Sequence, residues 1–366
     1  MIILLVSIVV FICGCILIHI AVITPKAIVC SPGMQEIMFN GNIKRTEILR
    51  VDNDSLSIPE KDFLDDRQPE QAVYELIKSH KIVDYDHNLS TKPCPNPPII
   101  VLAINSAANH VDRRHGIRQT WGNGKEFKIR FEYKELWKAV FIVARSGDTA
   151  IDKRVNEEAK VYGDLLIIDM KDHHQLLTDK TLLGMHWAIV ECKARFYYKG
   201  DDDVWVNKWK LLDYVISLSF NPSWDPSNTW MGYISKKNRE PVRDKSSKYY
   251  ISIDDYPGKQ FPKYCSGFSY LMTKETATKM ISAIPHIKKT PGIDDVYMGL
   301  LANYTSIHPI YDGRFHFRVY EKQRVYTPAM LHNYISEHGI KNSKLMQKLN
   351  DMARYKYIST HLKKDV

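Results

Sequence analysis

The sequence has no zinc-finger spacing of cysteine and histidine, no RNP-type aromatic motif and no long basic helix, which argues against nucleic acid as a partner. It has no internal repeat and no low-complexity tract. With 44% apolar, 11% aromatic and 25% charged residues it is neither a disordered chain nor a polytopic membrane protein. At 366 residues it can bury a full core, as one large domain with appendages. An excess of acid is also missing. The net charge is +9, which suits nucleotides, phosphates or anionic glycans and says nothing about fold.

Charge is absent altogether from residues 2–23, which contain no Asp, Glu, Lys or Arg. As a helix these 22 residues would extend roughly 33 Å, enough to cross the hydrocarbon core of a bilayer. No basic region precedes them, so an uncleaved anchor is favoured over a cleaved signal peptide. Lys26 follows the span and only Met1 precedes it, so the positive-inside rule does not support a lumenal body. Three glycosylation sequons, at Asn53, Asn88 and Asn303, point the other way. Cysteine is scarce, at six residues. Cys13 and Cys15 fall in the span. Cys30, Cys94, Cys192 and Cys265 can form disulfides in three pairings or remain free thiols.

Residues 24–97 lack sustained strand periodicity and read as a stem. Within it, residues 69–81 carry a helical stripe of Ala72, Val73, Leu76 and Ile77. The Pro-rich run at 93–98 is a stiff boundary. The pattern then changes. Apolar runs at 99–104, 139–144 and 165–168 predict buried strands, and residues 151–162 and 176–195 predict helices between and after them. This alternation implies a mainly parallel sheet covered on both faces, an α/β body over residues 98–366.

A further strand-prone run, Phe196 to Gly200, ends in Asp201, Asp202 and Asp203. Ligands of open α/β sheets collect beyond the carboxyl ends of strands, and carboxylates there can hold a hard divalent cation beside phosphate oxygens. The same triplet would also suit an acidic turn or a helix N-terminus. Arg114 and Arg118, four apart on a helix, can grip a diphosphate or form a solvated basic face. Trp121 beside them can stack on a ligand, although the core suits it better.

Four segments occur in order: Arg113-Arg114-x-x-Ile117-Arg118-x-Thr120-Trp121-Gly122, Lys199-x-Asp201-Asp202-Asp203-Val204, Phe261-Pro262-x-Tyr264-Cys265-x-Gly267 and Asp294-Asp295-Val296-Tyr297-x-Gly299. Together, over about residues 98–335, they resemble the β-1,3-galactosyltransferase family, type II Golgi enzymes that include β-1,3-N-acetylglucosaminyltransferases and are related to Fringe. Residues 172–181 also resemble the family's D-S-Y-x-N-L-T-x-K-T segment. They retain Asp172, Leu177, Thr178, Lys180 and Thr181 but carry His174 and Leu176 where that pattern has Tyr and Asn. Ser269 replaces a family glycine, with a possible effect on a tight turn beside the acceptor.

The resemblance implies a GT-A fold, a UDP-sugar donor, Mn²⁺, inversion to a β-1,3 linkage and a glycan acceptor. It also implies a lumenal catalytic domain on a single-pass Golgi membrane anchor, and leaves a homodimer open. It makes Asp295 the catalytic base and Asp203 a metal ligand, with a late histidine completing the site. His332 is the candidate, and His308, His316 and His338 are its rivals. Donor contacts are expected from Arg114, Arg118, Asp172, Lys180, Asp201 and Asp202. Lys180 and Lys199 can neutralise phosphate or orient the carboxylates. Cys192 and Cys265 are the disulfide the resemblance suggests. Galactose is the default sugar, with N-acetylglucosamine and N-acetylgalactosamine as alternatives. Trp224, Trp230 and Tyr233 can stack on sugars or belong to the core. The rival of another class is a catalytically silent, membrane-tethered glycan-binding protein, against which the carboxylates Asp201, Asp203 and Asp295 speak.

Overall fold

The computed structural model describes residues 90–127, 135–235, 240–317 and 325–361. The expected membrane span, the 69–81 helix, Asn53, Asn88 and Cys30 lie outside these residues. No helix among the described residues is long and apolar enough to cross a membrane.

Four strands form the parallel half of the main sheet: β1 (Ile100–Ser106), β2 (Trp137–Arg145), β3 (Leu165–Lys171) and β4 (Phe196–Asp201). They stand in the order β3-β2-β1-β4. Alternation along each strand feeds two cores. Ile100, Leu102, Ile104, Phe141 and Val143 enter one, while Val101, Ala103, Val140 and Ile142 enter the other. Strands buried on both faces read as unbroken apolar runs, which is why the sequence shows them.

The helices of this half are α1 (Val111–Gln119), α2 (Thr149–Tyr162) and α3 (Leu177–His186). Asp148 starts α2 by accepting from the amides of Ala150 and Ile151, and Gly163, at φ 61°, ends it. The helix expected over 176–195 is shorter. A 3-10 turn at His174–Leu176 precedes α3 and a π-turn at Trp187–Glu191 ends it.

Beyond β4 come β5 (Val204–Val206), α4 (Lys208–Ser219), β6 (Trp230–Gly232), β7 (Ser269–Thr273), α5 (Lys274–Ala283) and α6 (Asp294–Tyr304). The chain continues with β8 (Ile310–Tyr311), β9 (Phe315–His316), α7 (Pro328–Asn333), β10 (Ser336–His338) and α8 (Ser343–His361). β7 adds to β4 antiparallel, followed by β6 and β8. A second, small sheet runs β5-β10-β9, with β10 antiparallel to β5. It begins one residue after the Asp triplet and so ties the far end of the chain to it.

Cys94 is disulfide-bonded to Cys192, and Cys265 is a buried free thiol. The expected Cys192–Cys265 pair is therefore corrected. Cys192 follows the π-turn after α3, where its Cα lies 4.7 Å from that of Cys94. Cys265 sits in the core beside Gly232 and the Trp230 carbonyl. Nearby, Ser90 Oγ accepts from the Ile167 amide and the Thr91 amide donates to the Leu165 carbonyl, so residues 90 and 91 lie along β3.

Candidate active site

The carboxyl ends of β1, β2 and β3 open onto a cleft of about 500 Å³. Ala107, Ala108 and Asn109 line it after β1, Ser146 after β2, and Asp172, His173 and His174 after β3, with Lys180 from α3. Lys180 is buried; its Nζ donates to the Ser106 carbonyl (2.9 Å) and to both Asp172 oxygens (3.3 and 3.1 Å). Burial lowers the pKa of this ammonium, against the pull of Asp172, Asp202 and Asp201. His174 is exposed on the cleft wall. Partial burial and the Lys248 ammonium lower its pKa, with Asp294 opposing.

The Asp triplet stands at the carboxyl end of β4, the neighbour of β1 in the sheet. Backbone bonds hold its turn between two strands: the Asp201 amide donates to the Phe268 carbonyl and the Asp202 amide to that of Asn105. The three side chains have different surroundings. Asp202 is buried, accepting from Ser106 Oγ (2.8 Å) and Arg113 Nη1 (2.7 Å) and meeting His110 Nδ1 at 2.7 Å. Burial opposes its ionisation, but the three partners prevail and its pKa is lowered. Asp202 therefore anchors the β1–α1 loop.

Asp201 faces Lys199, Nζ to Oδ1 2.8 Å, with its side chain 32% exposed. Burial, reinforced by Asp294, outweighs Lys199 and pushes the Asp201 carboxyl up to about 7. Asp203 lies on the outer side of the turn. Its Oδ1 is 3.6 Å from Nε2 of His338, and its carbonyl accepts from the Ile340 amide. β10 pairs His338 with Val204, immediately after Asp203. His332 belongs to the opposite end of that ladder. It lies in α7, where the adjacent Leu331 carbonyl accepts from Asn207 Nδ2, beyond the far end of β5. The expected His332 is thus corrected: the histidine beside Asp203 is His338.

A second acidic pair opens α6. Asp294 is buried against Thr181 Oγ1 (2.7 Å) and Lys199 Nζ (3.2 Å). Asp295 is half-buried; Oδ2 accepts from the Gly267 amide (3.1 Å) and Oδ1 from the Val296 amide (2.9 Å). Burial and the neighbouring Asp294 push its carboxyl up to about 7, against Gly267 and Lys199. A carboxylate held near neutrality suits a general base. Lys199 joins the two acidic groups, since the same ammonium donates to Asp201 and to the Gly267 carbonyl and touches Asp294.

The dipeptide Gly267–Phe268 spans the interval between Asp295 and Asp203. The Gly267 amide holds Asp295, and the Phe268 ring lies 5.0 Å from that of His338, the partner of Asp203. A Cβ at Gly267 would come within 3.1 Å of Asp294 Oδ1, tighter than an ordinary contact, so a side chain here would press on the acidic pair. Phe268 and Phe317 flank His338, and Tyr233 packs on both phenylalanines.

Residues 112–312 match the family model described as galactosyltransferase. The chain belongs to the galactosyltransferase family. Human beta-1,3-galactosyltransferase 1 is 30% identical over 267 residues, 72% of this chain and 76% of that protein. The lactosylceramide 1,3-N-acetyl-beta-D-glucosaminyltransferase of Xenopus tropicalis is 30% identical over 293 residues, 78% of this chain and 71% of that protein. Among solved structures, the galactosyltransferase LgtC with donor and acceptor sugar analogs covers 69% of this chain and 95% of its own, at 13% identity and a TM-score of 0.32. Family membership makes the chain a hexosyltransferase.

In this galactosyltransferase-family chain the two expected donor arginines do other work. Arg114 is fully buried: it donates from Nε and Nη2 to both oxygens of Glu158 (2.9 and 2.7 Å) and to Ser106 Oγ and the carbonyls of Ala107 and Ala108. Arg118 forms a bidentate pair with Asp164 (2.7 and 2.8 Å), reaches Glu158 at 2.7 Å and lies over the Tyr162 ring. Both are corrected from donor ligands to structural residues. Arg114 still shapes the site indirectly, because it fixes the loop lining the cleft. Ser269 stands in β7, bonded to Ser336 Oγ at 2.7 Å, and not in a tight turn. Trp230 is core, and Trp224 stacks on Phe196.

The donor set beside the triplet tests whether a cation fits. No group of three or more His, Cys, Asp or Glu among the described residues forms a metal cage. A carboxylate and an imidazole 3.6 Å apart, Asp203 and His338, are the oxygen and nitrogen donors that Mn²⁺ accepts. Two protein ligands with phosphate and water oxygens in the remaining positions are the usual pattern for a nucleotide-bound cation. The residues fit. The sequence could not single out His338 from 14 histidines, because only the β5–β10 pairing brings it to Asp203.

Proposed function

We propose that this chain is a GT-A-type glycosyltransferase that moves a hexose, galactose by default, from a UDP-sugar to a glycan in β-1,3 linkage with inversion. N-acetylglucosamine is the alternative sugar, since one of the relatives above bears the name of a transferase for it. The observation that carries the proposal is the Gly267–Phe268 step, with a carboxylate pushed up to about 7 on one side and a carboxylate–imidazole pair on the other.

In this reading the nucleotide occupies the cleft after β1 to β3, with Asp172 and Lys180 on its wall. Asp203 and His338 would hold Mn²⁺, and the chemistry it would supply is neutralisation of charge on the leaving diphosphate. Asp295 takes the proton of the acceptor hydroxyl, and the oxygen so freed attacks the anomeric carbon. The bond to the diphosphate breaks on the opposite face, giving a β linkage. The Gly267 amide aims Asp295, while Lys199 keeps Asp201 and Asp294 in place without a like-charge collision. The aromatic surface of Tyr233 and Phe317 beside His338 suits the apolar face of an acceptor sugar.

The body is proposed to be lumenal, on a single-pass Golgi membrane anchor formed by residues 2–23. Asn303, exposed in the last turn of α6, is an accessible sequon. The test is a panel of UDP-galactose, UDP-N-acetylglucosamine and UDP-N-acetylgalactosamine against glycan acceptors, with the linkage read by NMR. Turnover of one donor, lost with chelator and restored by Mn²⁺, is expected. His338→Ala should weaken Mn²⁺-dependent UDP binding about tenfold or more, the scale of losing one ligand, and His332→Ala should leave it unchanged. Turnover indifferent to chelator would remove the metal from the scheme.

A further inference from the structure

His174 occupies a position that the mechanism above leaves without a role. It lies exposed on the cleft wall, in the 3-10 turn between β3 and α3. Its ring is packed against the loop that leads to the base. Gly292 adopts φ +72°, and a Cβ there would stand 2.7 Å from His174 Nδ1, so only glycine lets this loop run so close. Asp294 and Asp295 follow two and three residues later. The contact is fixed from below, because Thr178 Oγ1 in α3 donates to the Thr290 carbonyl at 3.0 Å. From above, the Tyr249 ring meets the imidazole edge-on at 5.8 Å.

A hexose attached to the diphosphate has to lie between the nucleotide wall and Asp295, and His174 stands on that wall with its ring against the Gly292 loop that leads to Asp295. We propose that His174 is a specificity-determining residue, whose imidazole hydrogen-bonds a hydroxyl or acetamido group of the donor hexose and so sets the preference among UDP-sugars. The inference rests on the donor reading given above. An imidazole offers one donor and one acceptor, which suits a sugar substituent that is itself both. Removing such a partner discriminates between substrates, because the binding energy lost depends on which substituent it held.

The test compares kcat/KM of the full-length enzyme and its His174→Ala and His174→Tyr variants for the three UDP-sugars, together with inhibition by UDP alone. The side chain is exposed, so the fold should survive, and UDP inhibition checks that it has. The expected result is a change of about tenfold or more in the ratio of kcat/KM between the preferred donor and the next, with UDP inhibition within about twofold of wild type. Equal loss for all three donors, no change, or loss of UDP affinity alongside turnover would each overturn the proposal. Failure of the wild-type enzyme to use any UDP-sugar would instead overturn the donor reading, and this inference with it.

Discussion

Asp295 illustrates how surroundings give one carboxylate its task. Burial and Asp294 push its carboxyl up to about 7, while the Gly267 amide and Lys199 restrain the shift. A base works only as the carboxylate, so the protonated fraction is the inactive one. Activity should therefore be present above this pKa and be lost as pH falls through it. At low donor concentration kcat/KM reports the free enzyme, and its acidic limb should have a midpoint near 7. A profile flat down to about pH 5, where an ordinary aspartate is still ionised, would mean that Asp295 is not the titrating base. The sequence located this residue by its place in an Asp-Asp-Val segment, but it could not show the elevated pKa. That comes from burial in the fold and the adjacent Asp294 carboxylate, while the restraint on it comes from Gly267 and Lys199, 28 and 96 positions away in the chain.

At the scale of elements, α1 and α2 are joined by a buried ion pair. Arg114 and Glu158 are both nearly inaccessible, with side chains 0% and 5% exposed. Burial would raise the Glu158 pKa, but Arg114 and Arg118 prevail and lower it. Removing one partner of a buried pair leaves an uncompensated charge, at a cost of about 3–5 kcal/mol. Glu158→Ala should destabilise the fold by that amount in denaturant titration, and a loss below about 1 kcal/mol would contradict the buried-pair description. The i, i+4 spacing of Arg114 and Arg118 was legible in the sequence; their partners were not. Glu158 lies 44 residues from Arg114 and Asp164 lies 46 from Arg118. The parallel strands were legible because burial on both faces leaves continuous apolar runs. The small β5-β10-β9 sheet was not, since strands of two or three residues have no periodicity to detect, and the His338 assignment went with it.

At the scale of the whole molecule, the disulfide Cys94–Cys192 and the bonds of Ser90 and Thr91 to β3 fasten the chain at the start of the Pro-rich run to the catalytic body. Four cysteines permit three pairings, and the choice follows from where the π-turn after α3 places Cys192. The central claim is that one hexosyltransferase site has two chemically separate sides, a nucleotide–cation side at Asp203 and His338 and a proton-accepting side at Asp295. The most direct measurement is made on Asp295→Asn, by titrating UDP in the presence of Mn²⁺ and assaying sugar transfer on the same preparation. UDP affinity within about twofold of wild type with transfer reduced by about a hundredfold or more, the scale of losing a general base, is the predicted result. Wild-type turnover in that variant, or UDP affinity lost together with transfer, would contradict the account.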